Sequence, residues 1–270
     1  MTMHGKGGPG TVWALGMAYT DLDLPGALRL LAERPDGAPF AYVCTPNAVH
    51  VVNYDRAEPR YRAGIDGAWL RLCDSRVLAR LMGALFGVRL GLALGSDLTR
   101  DLLDGVVRPD DPITVIGGTA DLAARLRAKY GLRRLALHEP PFGFAADPAA
   151  LQACVAFVQA HPARFVFLAC GAPQSEVLGL AILQAGDAVG TGLCIGASLQ
   201  FVTGLSTRAP DWCQRAGLEW LHRLVQEPRR MGPRLMQGQL PVLALAARYR
   251  ASSRLSRTQG RPDRTASGPP

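Results

Sequence analysis

The carboxylate of Asp66 stands between two segments with different hydrophobic patterns. Tyr61 to Gly64 precede it, and an apolar run that is predicted to be helical follows it, which predicts a carboxylate at a strand-to-helix crossing. A lone carboxylate at the ligand-binding edge of a sheet is what a general base requires. The Asp66-Gly67 pair is also a common turn sequence, so a structural role stays open at this stage.

A hydroxyl and an amide follow the apolar run Phe40 to Cys44 in the segment Thr45-Pro46-Asn47. Either Thr45 or Asn47 can cap a helix that begins near Ala48, since both residue types are common at helix starts. The same two side chains can instead face a sugar or a phosphate at the end of that strand. The sequence alone does not choose between capping and ligand binding.

Glycines follow two further apolar runs. Gly117 and Gly118 lie between Ile113–Ile116 and a helical pattern, an arrangement that lets a phosphate approach the backbone closely. They form neither a Walker loop nor a full dinucleotide fingerprint. In Gly190-Thr191-Gly192 the next glycine, Gly196, comes one residue too late for that fingerprint. An NAD-dependent dehydrogenase is therefore disfavoured, and no cofactor is predicted.

The acidic, histidine and cysteine residues show no spacing typical of a metal site. Asp21 and Asp23 resemble the Asp-x-Asp of many sugar transferases, but Pro25 and the pattern after it indicate a helix start, where acidic residues are favoured anyway. The six cysteines include no pair two residues apart and no matching histidine spacing. The sequence predicts no metal site and no disulfide framework, which is typical of a reducing compartment.

Short apolar runs alternate with segments of helical length over the first three quarters of the chain. The predicted buried strands are Phe40–Cys44, Ile113–Ile116, Leu135–Leu137, Phe165–Ala169 and Leu193–Ile195, and the predicted helices between them are Asp121–Tyr130, Pro148–Ala160 and Glu176–Gln184. This order is typical of an α/β fold, a Rossmann-like parallel sheet with helices on both faces. We expect a flexible N-terminus at residues 1–10 and one core domain at 11–207, with ligands bound beyond the carboxyl ends of the strands.

The charge is placed unevenly. Hydrophobic residues make up 48% of the 270, enough for a buried core, and the net charge is +8. The residues from Arg208 onwards include 12 basic and 4 acidic ones, which accounts for the whole net charge. We expect a helical, basic C-terminal appendage at 208–250 and a disordered tail at 251–270. Such a segment suits nucleic acid, a diphosphate or an anionic membrane surface.

Several short motifs, in this order and spacing, resemble the WecG/TagA/CpsF family of bacterial glycosyltransferases. The resemblance covers about Phe40 to Arg234, and its most specific part is Arg208 to Arg230. The motifs are Thr45-Pro46-Asn47, Asp66-Gly67, Gly117-Gly118, Gly171-Ala172-Pro173 with Glu176, Arg208-Ala209-Pro210, Gly217-Leu218-Glu219-Trp220-Leu221-His222-Arg223 and Gln226-Glu227-Pro228-Arg229-Arg230.

The resemblance implies an inverting transferase that works without a metal. It would move a sugar from a UDP-sugar to a polyprenyl-diphosphate-linked saccharide during cell-wall or exopolysaccharide synthesis. Such a protein would be cytoplasmic, peripherally associated with the inner face of the cell membrane, and often assembled as a trimer of cores. No signal peptide is predicted at the N-terminus.

The resemblance also implies roles for individual residues. Asp66 matches the proposed base, Thr45 its companion near the sugar, and Asn47 a residue of the same pocket. As a hypothesis of mechanism, amides of the Gly117-Gly118 loop help to stabilise the diphosphate.

Three arginines of the appendage complete the implied site. Arg223 and Arg230 match arginines that contact the diphosphate, and Arg234 lies near another such arginine. The arginine fork suits this task because it can bind phosphate oxygens in pairs.

Two departures from the family pattern affect the residues expected to bind substrate. Pro173-Gln174-Ser175-Glu176 stands where the family often has Pro-Lys-Gln-Glu, and Gln200 stands where it often has Asp. These departures leave open a non-catalytic relative of the family. A further alternative is a nucleotide-binding α/β module whose arginine-rich tail holds nucleic acid, although the family resemblance implies no nucleic-acid partner.

Overall fold

A computed structural model of the chain describes residues 9–56, 59–207, 209–210, 212–213, 221, 224–225, 238 and 240–259. Its strands are β1 (Thr11–Ala14), β2 (Met17–Thr20), β3 (Ala41–Cys44), β4 (Leu70–Arg71), β5 (Ile113–Ile116), β6 (Leu135–His138), β7 (Phe165–Leu168) and β8 (Thr191–Cys194).

The helices between these strands account for most of the remaining described chain. They are α1 (Leu24–Glu33), α2 (Ala48–Arg56), α3 (Pro59–Asp66), α4 (Arg76–Phe86), α5 (Gly95–Gly105), α6 (Ala120–Tyr130), α7 (Pro148–Ala160), α8 (Gln174–Ala185), α9 (Ser198–Val202) and α10 (Leu240–Gln259). Within these described residues, we find no helix that combines the length and the apolar character needed to cross a bilayer.

Six strands form one parallel sheet in the order β4-β3-β8-β7-β5-β6. The predicted Rossmann-like α/β fold is thereby confirmed. The predicted strand at Ile113–Ile116 and the predicted helix at Pro148–Ala160 have the observed bounds. The last strand is Thr191–Cys194 rather than the predicted Leu193–Ile195, because its first two residues pair with both neighbouring strands.

Two apolar clusters cover the two faces of this sheet. On one face, Leu193 and Phe167 pack with side chains of α1, α5, α6 and α9. On the other face, Tyr42 and Leu168 pack with side chains of α7 and α8. Because buried parallel strands need apolar side chains on both faces, their sequences are continuous apolar runs rather than alternating ones.

A third cluster joins the N-terminal hairpin to the last helix. Strand β1 of the antiparallel hairpin contributes Ala14, strand β2 contributes Met17 and Tyr19, and α10 contributes Val242 and Ala246. This helix runs through Gln259, beyond the predicted end of the appendage at residue 250 and into the segment predicted as a disordered tail. The continuation contains alanine, leucine and arginine, which favour helix.

Candidate active site

The carboxyl ends of the parallel strands meet at one edge of the sheet, where this fold class binds its ligands. The loops at that edge begin with Leu72 after β4, Thr45 after β3, Ile195 after β8, Ala169 after β7 and Gly117 after β5. The side chains on these loops are therefore the candidates for substrate contacts.

Asp66 does not lie at this edge. It is the last residue of α3 and precedes β4, so it lies towards the amino end of that strand. Its exposed carboxylate accepts hydrogen bonds from the Tyr54 hydroxyl at 2.9 and 3.0 Å. The predicted strand-to-helix crossing is wrong because Pro59 begins a helix that includes Tyr61 to Gly64.

A different carboxylate, that of Asp74, follows β4 at the carboxyl edge. The backbone N–H of Asp74 donates to the carbonyl of Pro46 at 3.0 Å, which fixes it beside the loop after β3. Ser75, the next residue, caps α4 by accepting from the N–H of Leu78 at 3.1 Å. The half-buried Asp74 thus occupies the strand-to-helix crossing that the sequence analysis assigned to Asp66.

The N-terminus of α5 meets Asp74 and Thr45 together. The N–H of Gly95 donates to Oδ1 of Asp74 at 3.0 Å. A Cβ atom on Gly95 would lie only 2.9 Å from Oγ1 of Thr45, so the helix approaches that hydroxyl closely. The structure therefore groups Thr45, Asp74 and the N-terminus of α5 at the carboxyl edge of the sheet.

Thr45 is 6% exposed and held by a neighbouring strand. Its hydroxyl donates to the carbonyl of Cys194 at 3.2 Å, which links the ends of β3 and β8. The close N-terminus of α5 and this hydrogen bond leave the hydroxyl little freedom to rotate. Thr45 is thus a fixed polar group at the predicted edge.

Asn47 begins a chain of polar contacts that leads into the interior. Its Oδ1 accepts from the N–H of Val49 at 3.1 Å, which confirms the predicted capping of α2, and lies 2.9 Å from Nδ1 of His50. Nε2 of His50 lies 3.4 Å from Oε1 of Glu176. Glu176 is only 2% exposed, so its carboxylate faces the interior beneath the edge.

Glycines line the middle of the edge. Gly171 after β7 and Gly196 after β8 have φ values of 77° and 51°, and a Cβ on Gly196 would come within 4.0 Å of the Gly171 Cα. The Cβ position of Gly171 is open, with nothing within 4 Å. Gly117 and Gly118 also have positive φ, at 95° and 89°, and a Cβ would press on Ala169 or Leu122 respectively. These close contacts are sufficient reason for glycine at both positions of this second pair.

The connections that follow β7 and β8 run to opposite faces of the sheet. β7 leads into α8, whose Leu178 packs with Leu168 in one cluster. β8 leads into α9, whose Leu199 packs with Leu193 in the other cluster. A crevice outside such a reversal is where doubly wound sheets bind nucleotides. It lies next to the strand that carries Thr45.

A family comparison now bears on this arrangement. The model described as "Glycosyl transferase WecG/TagA/CpsF family" matches residues 12–256. The chain belongs to this family. This family member is accordingly an enzyme that transfers a sugar, with a role in cell-wall polymer synthesis. The resemblance inferred from the short motifs is confirmed over a longer stretch than those motifs cover.

The other predicted substrate-binding residues of this glycosyltransferase have varied positions. Gln174 is the first residue of α8, behind the Gly171 loop. Gln200 lies in α9, and its Oε1 accepts from the Ser206 hydroxyl at 3.4 Å. The three predicted arginines lie outside the described residues: Arg223, Arg230 and Arg234.

Sequence reasoning missed Asp74, although a signal was present. Leu70, Leu72 and Cys73 form a short, mostly apolar segment, and Ser75 is a standard cap before an amphipathic run. Strand, carboxylate, cap and helix follow one another there. The sequence favours Asp66 over Asp74 for this position only if the segment before Asp66 is interpreted as a strand.

Proposed function

We propose that this enzyme transfers a sugar from a UDP-sugar to a polyprenyl-diphosphate-linked saccharide, with inversion at the sugar carbon and with Asp74 as the general base. The observation that supports this most is that Asp74 and Thr45, at the carboxyl ends of neighbouring strands, both lie beside Gly95 at the N-terminus of α5. Asp66 lies at the opposite end of β4, so in this proposal Asp74 is the general base in its place.

An inverting transfer needs a base on the acceptor hydroxyl, an open face of the sugar, and compensation for the charge that grows on UDP. In the proposal Asp74 takes the proton from the acceptor hydroxyl as the oxygen attacks the anomeric carbon. Thr45, and Asn47 at the start of α2, orient the reacting groups.

The donor binds across the crevice between β7, β8 and β3. The open Gly171 loop, the Gly196 loop and Gln174 at the start of α8 face the diphosphate, since a helix start favours a negative ligand. Arg223, Arg230 and Arg234 of the appendage complete the charge compensation, as the family resemblance implies. No catalytic metal is part of the proposal, so adding Mg²⁺ or Mn²⁺ to the purified chain is expected to leave the rate of transfer unchanged.

The acceptor side of the proposal rests on the family and on the basic appendage. A lipid-diphosphate acceptor is presented at the cytoplasmic face of the membrane, where each arginine near an anionic surface contributes about 1 kcal/mol of attraction. A peripheral association and a trimer of cores are part of the same proposal. Sedimentation with anionic vesicles and the mass of the detergent-free protein test these two points.

The decisive experiment compares three aspartate-to-asparagine variants in a transfer assay with a panel of UDP-sugars and a synthetic lipid-diphosphate acceptor. Asp74→Asn is expected to lower kcat about 10²- to 10⁴-fold, the usual contribution of a positioned base. Asp110→Asn removes only an exposed ion pair between the loop before β5 and Arg133, and it serves as the matched control.

Asp66→Asn is the competing arm of this experiment. Removing its carboxylate changes an exposed hydrogen bond to Tyr54, so turnover should fall no further than in the control. A large loss of turnover in Asp66→Asn, together with normal turnover in Asp74→Asn, would show that Asp66 and not Asp74 is the general base. No transfer from any UDP-sugar by the native chain would favour a non-catalytic relative, which the departures at Gln174, Ser175 and Gln200 left open.

A further inference from the structure

Three potential metal ligands meet beneath the candidate active site. The sulfurs of Cys44 and Cys194 and a carboxylate oxygen of Glu176 all lie within 4.8 Å of one another, and all three residues are buried. Cys44 ends β3, Cys194 pairs with it in register at the end of β8, and Glu176 lies in the first turn of α8. Side chains from β3, β8 and α8 thus meet in one cluster.

The Glu176 carboxylate is incompletely satisfied there. Oε1 lies 3.4 Å from Nε2 of His50, and Oε2 is buried with no hydrogen-bond partner among the residues that the structure describes. A buried carboxylate oxygen without a partner is costly, because that oxygen has lost its water and gained no hydrogen bond in return. An oxygen of this kind, 2% exposed as a residue and grouped with two thiols, indicates a missing cationic partner.

We propose that Cys44, Cys194 and Glu176 bind one thiophilic divalent cation of the Zn²⁺ class. Two sulfurs and one carboxylate oxygen are a ligand set that suits this ion, whereas Mg²⁺ and Ca²⁺ take oxygen ligands. Ligands of tetrahedral Zn²⁺, with sulfurs about 2.3 Å from the metal, lie about 3.8 Å apart. The two sulfurs and the carboxylate oxygen, which lie within 4.8 Å of one another, are therefore within about 1 Å of this ligand spacing.

When the cation binds, each of the two thiols releases its proton to solvent. Two thiolates and one carboxylate then surround the ion and its charge of plus two. His50, between Glu176 and Asn47, orients the carboxylate from outside the ligand set.

The ion would act on the structure of the site rather than on the sugar. Cys44 directly precedes Thr45, and the carbonyl of Cys194 accepts the Thr45 hydroxyl. Joining the two sulfurs fixes the ends of β3 and β8 against the start of α8. This role is independent of the proposed donor, acceptor and base.

The experiment measures metal in the purified full chain without any sugar substrate, by elemental analysis after exposure to Zn²⁺ and removal of free metal, and by titration with Co²⁺. We expect one ion per chain and a cobalt–thiolate charge-transfer absorption. Cys44→Ala and Cys194→Ala should lower the bound metal at least tenfold, and His50→Ala should weaken binding about 10- to 100-fold.

Cys154→Ala is the matched control, since Cys154 is an equally buried free thiol outside the cluster, and it should bind as the native chain does. The proposal is overturned if the folded native chain binds no Zn²⁺ and gives no cobalt–thiolate absorption, which would make ordered water the partner of Glu176. Binding that survives in Cys194→Ala would overturn it equally. Because the cobalt spectrum of the native chain reports sulfur ligation directly, the test holds even where a variant does not fold.

Discussion

Replacing Gly95 with alanine tests whether the contact between α5, Thr45 and Asp74 sets the geometry of catalysis. The new Cβ would lie 2.9 Å from Oγ1 of Thr45 and 3.5 Å from its Cβ and Cγ2 atoms. An ordinary contact begins near 3.4 Å, so either the Thr45 side chain or the start of α5 must move by about half an ångström. Movement of α5 would lengthen the bond from the Gly95 N–H to Asp74, now 3.0 Å.

The size of the effect follows from this displacement. A misplacement of about 1 Å can cost about 10²-fold in rate, so half of it should lower kcat about tenfold. Helix propensity works in the other direction, since alanine favours helix over glycine by up to about 1 kcal/mol. We therefore expect Gly95→Ala to lose activity while the free energy of unfolding changes little.

Two comparisons make this prediction specific. Gly105→Ala lies at the other end of the same helix, where a Cβ would meet nothing within 4 Å, and should leave kcat unchanged. In a Thr45→Ala background the clashing oxygen is absent, so adding Gly95→Ala should cost no further activity, a coupling of about 1.4 kcal/mol. The reasoning is refuted if Gly95→Ala costs the same factor in both backgrounds, or costs nothing in the native one.

The remaining predictions concern stability. Asp147→Ala removes the side-chain cap of α7, an exposed hydrogen bond of 2.9 Å to the N–H of Ala149, and should lower the free energy of unfolding in urea by about 1 kcal/mol without changing kcat. Burial raises the pKa of Cys73 to about 12 and that of Cys154 to about 11, so above the ordinary thiol pKa the folded chain keeps protons that the unfolded chain loses. The urea midpoint should therefore hold at neutral pH and fall from about pH 9 upwards, and a midpoint that rises over that range would contradict this cause.

Most of the parallel sheet was predictable because five of its six strands lie in short apolar runs, β4 being the exception. Ile113–Ile116 has the predicted bounds, since all four residues are buried and its flanks are turns. Helix ends were harder to predict. Tyr61 to Gly64 belong to a helix that starts at Pro59, where a proline fits because the first turn needs no N–H donor.

The candidate site was predictable only where one strand suffices to place a residue. Thr45 follows its strand directly, so its position at the edge required no knowledge of strand order. Choosing between Asp66 and Asp74 required knowing which segment before each carboxylate is a strand, and the two-residue strand Leu70–Arg71 gives a weak local signal. Its pairing with β3, rather than its own pattern, makes it a strand.

The Cys44, Cys194 and Glu176 cluster lay beyond sequence reasoning for a different reason. Metal-ligand spacing is recognisable when ligands lie a few residues apart, but these come from β3, β8 and α8. They meet because β8, the last strand of the sheet, inserts between β3 and β7, and because Cys44 and Cys194 fall on the same register position. Strand order and register are tertiary properties, so cysteine spacing along the sequence cannot reveal ligands that meet only in the folded chain.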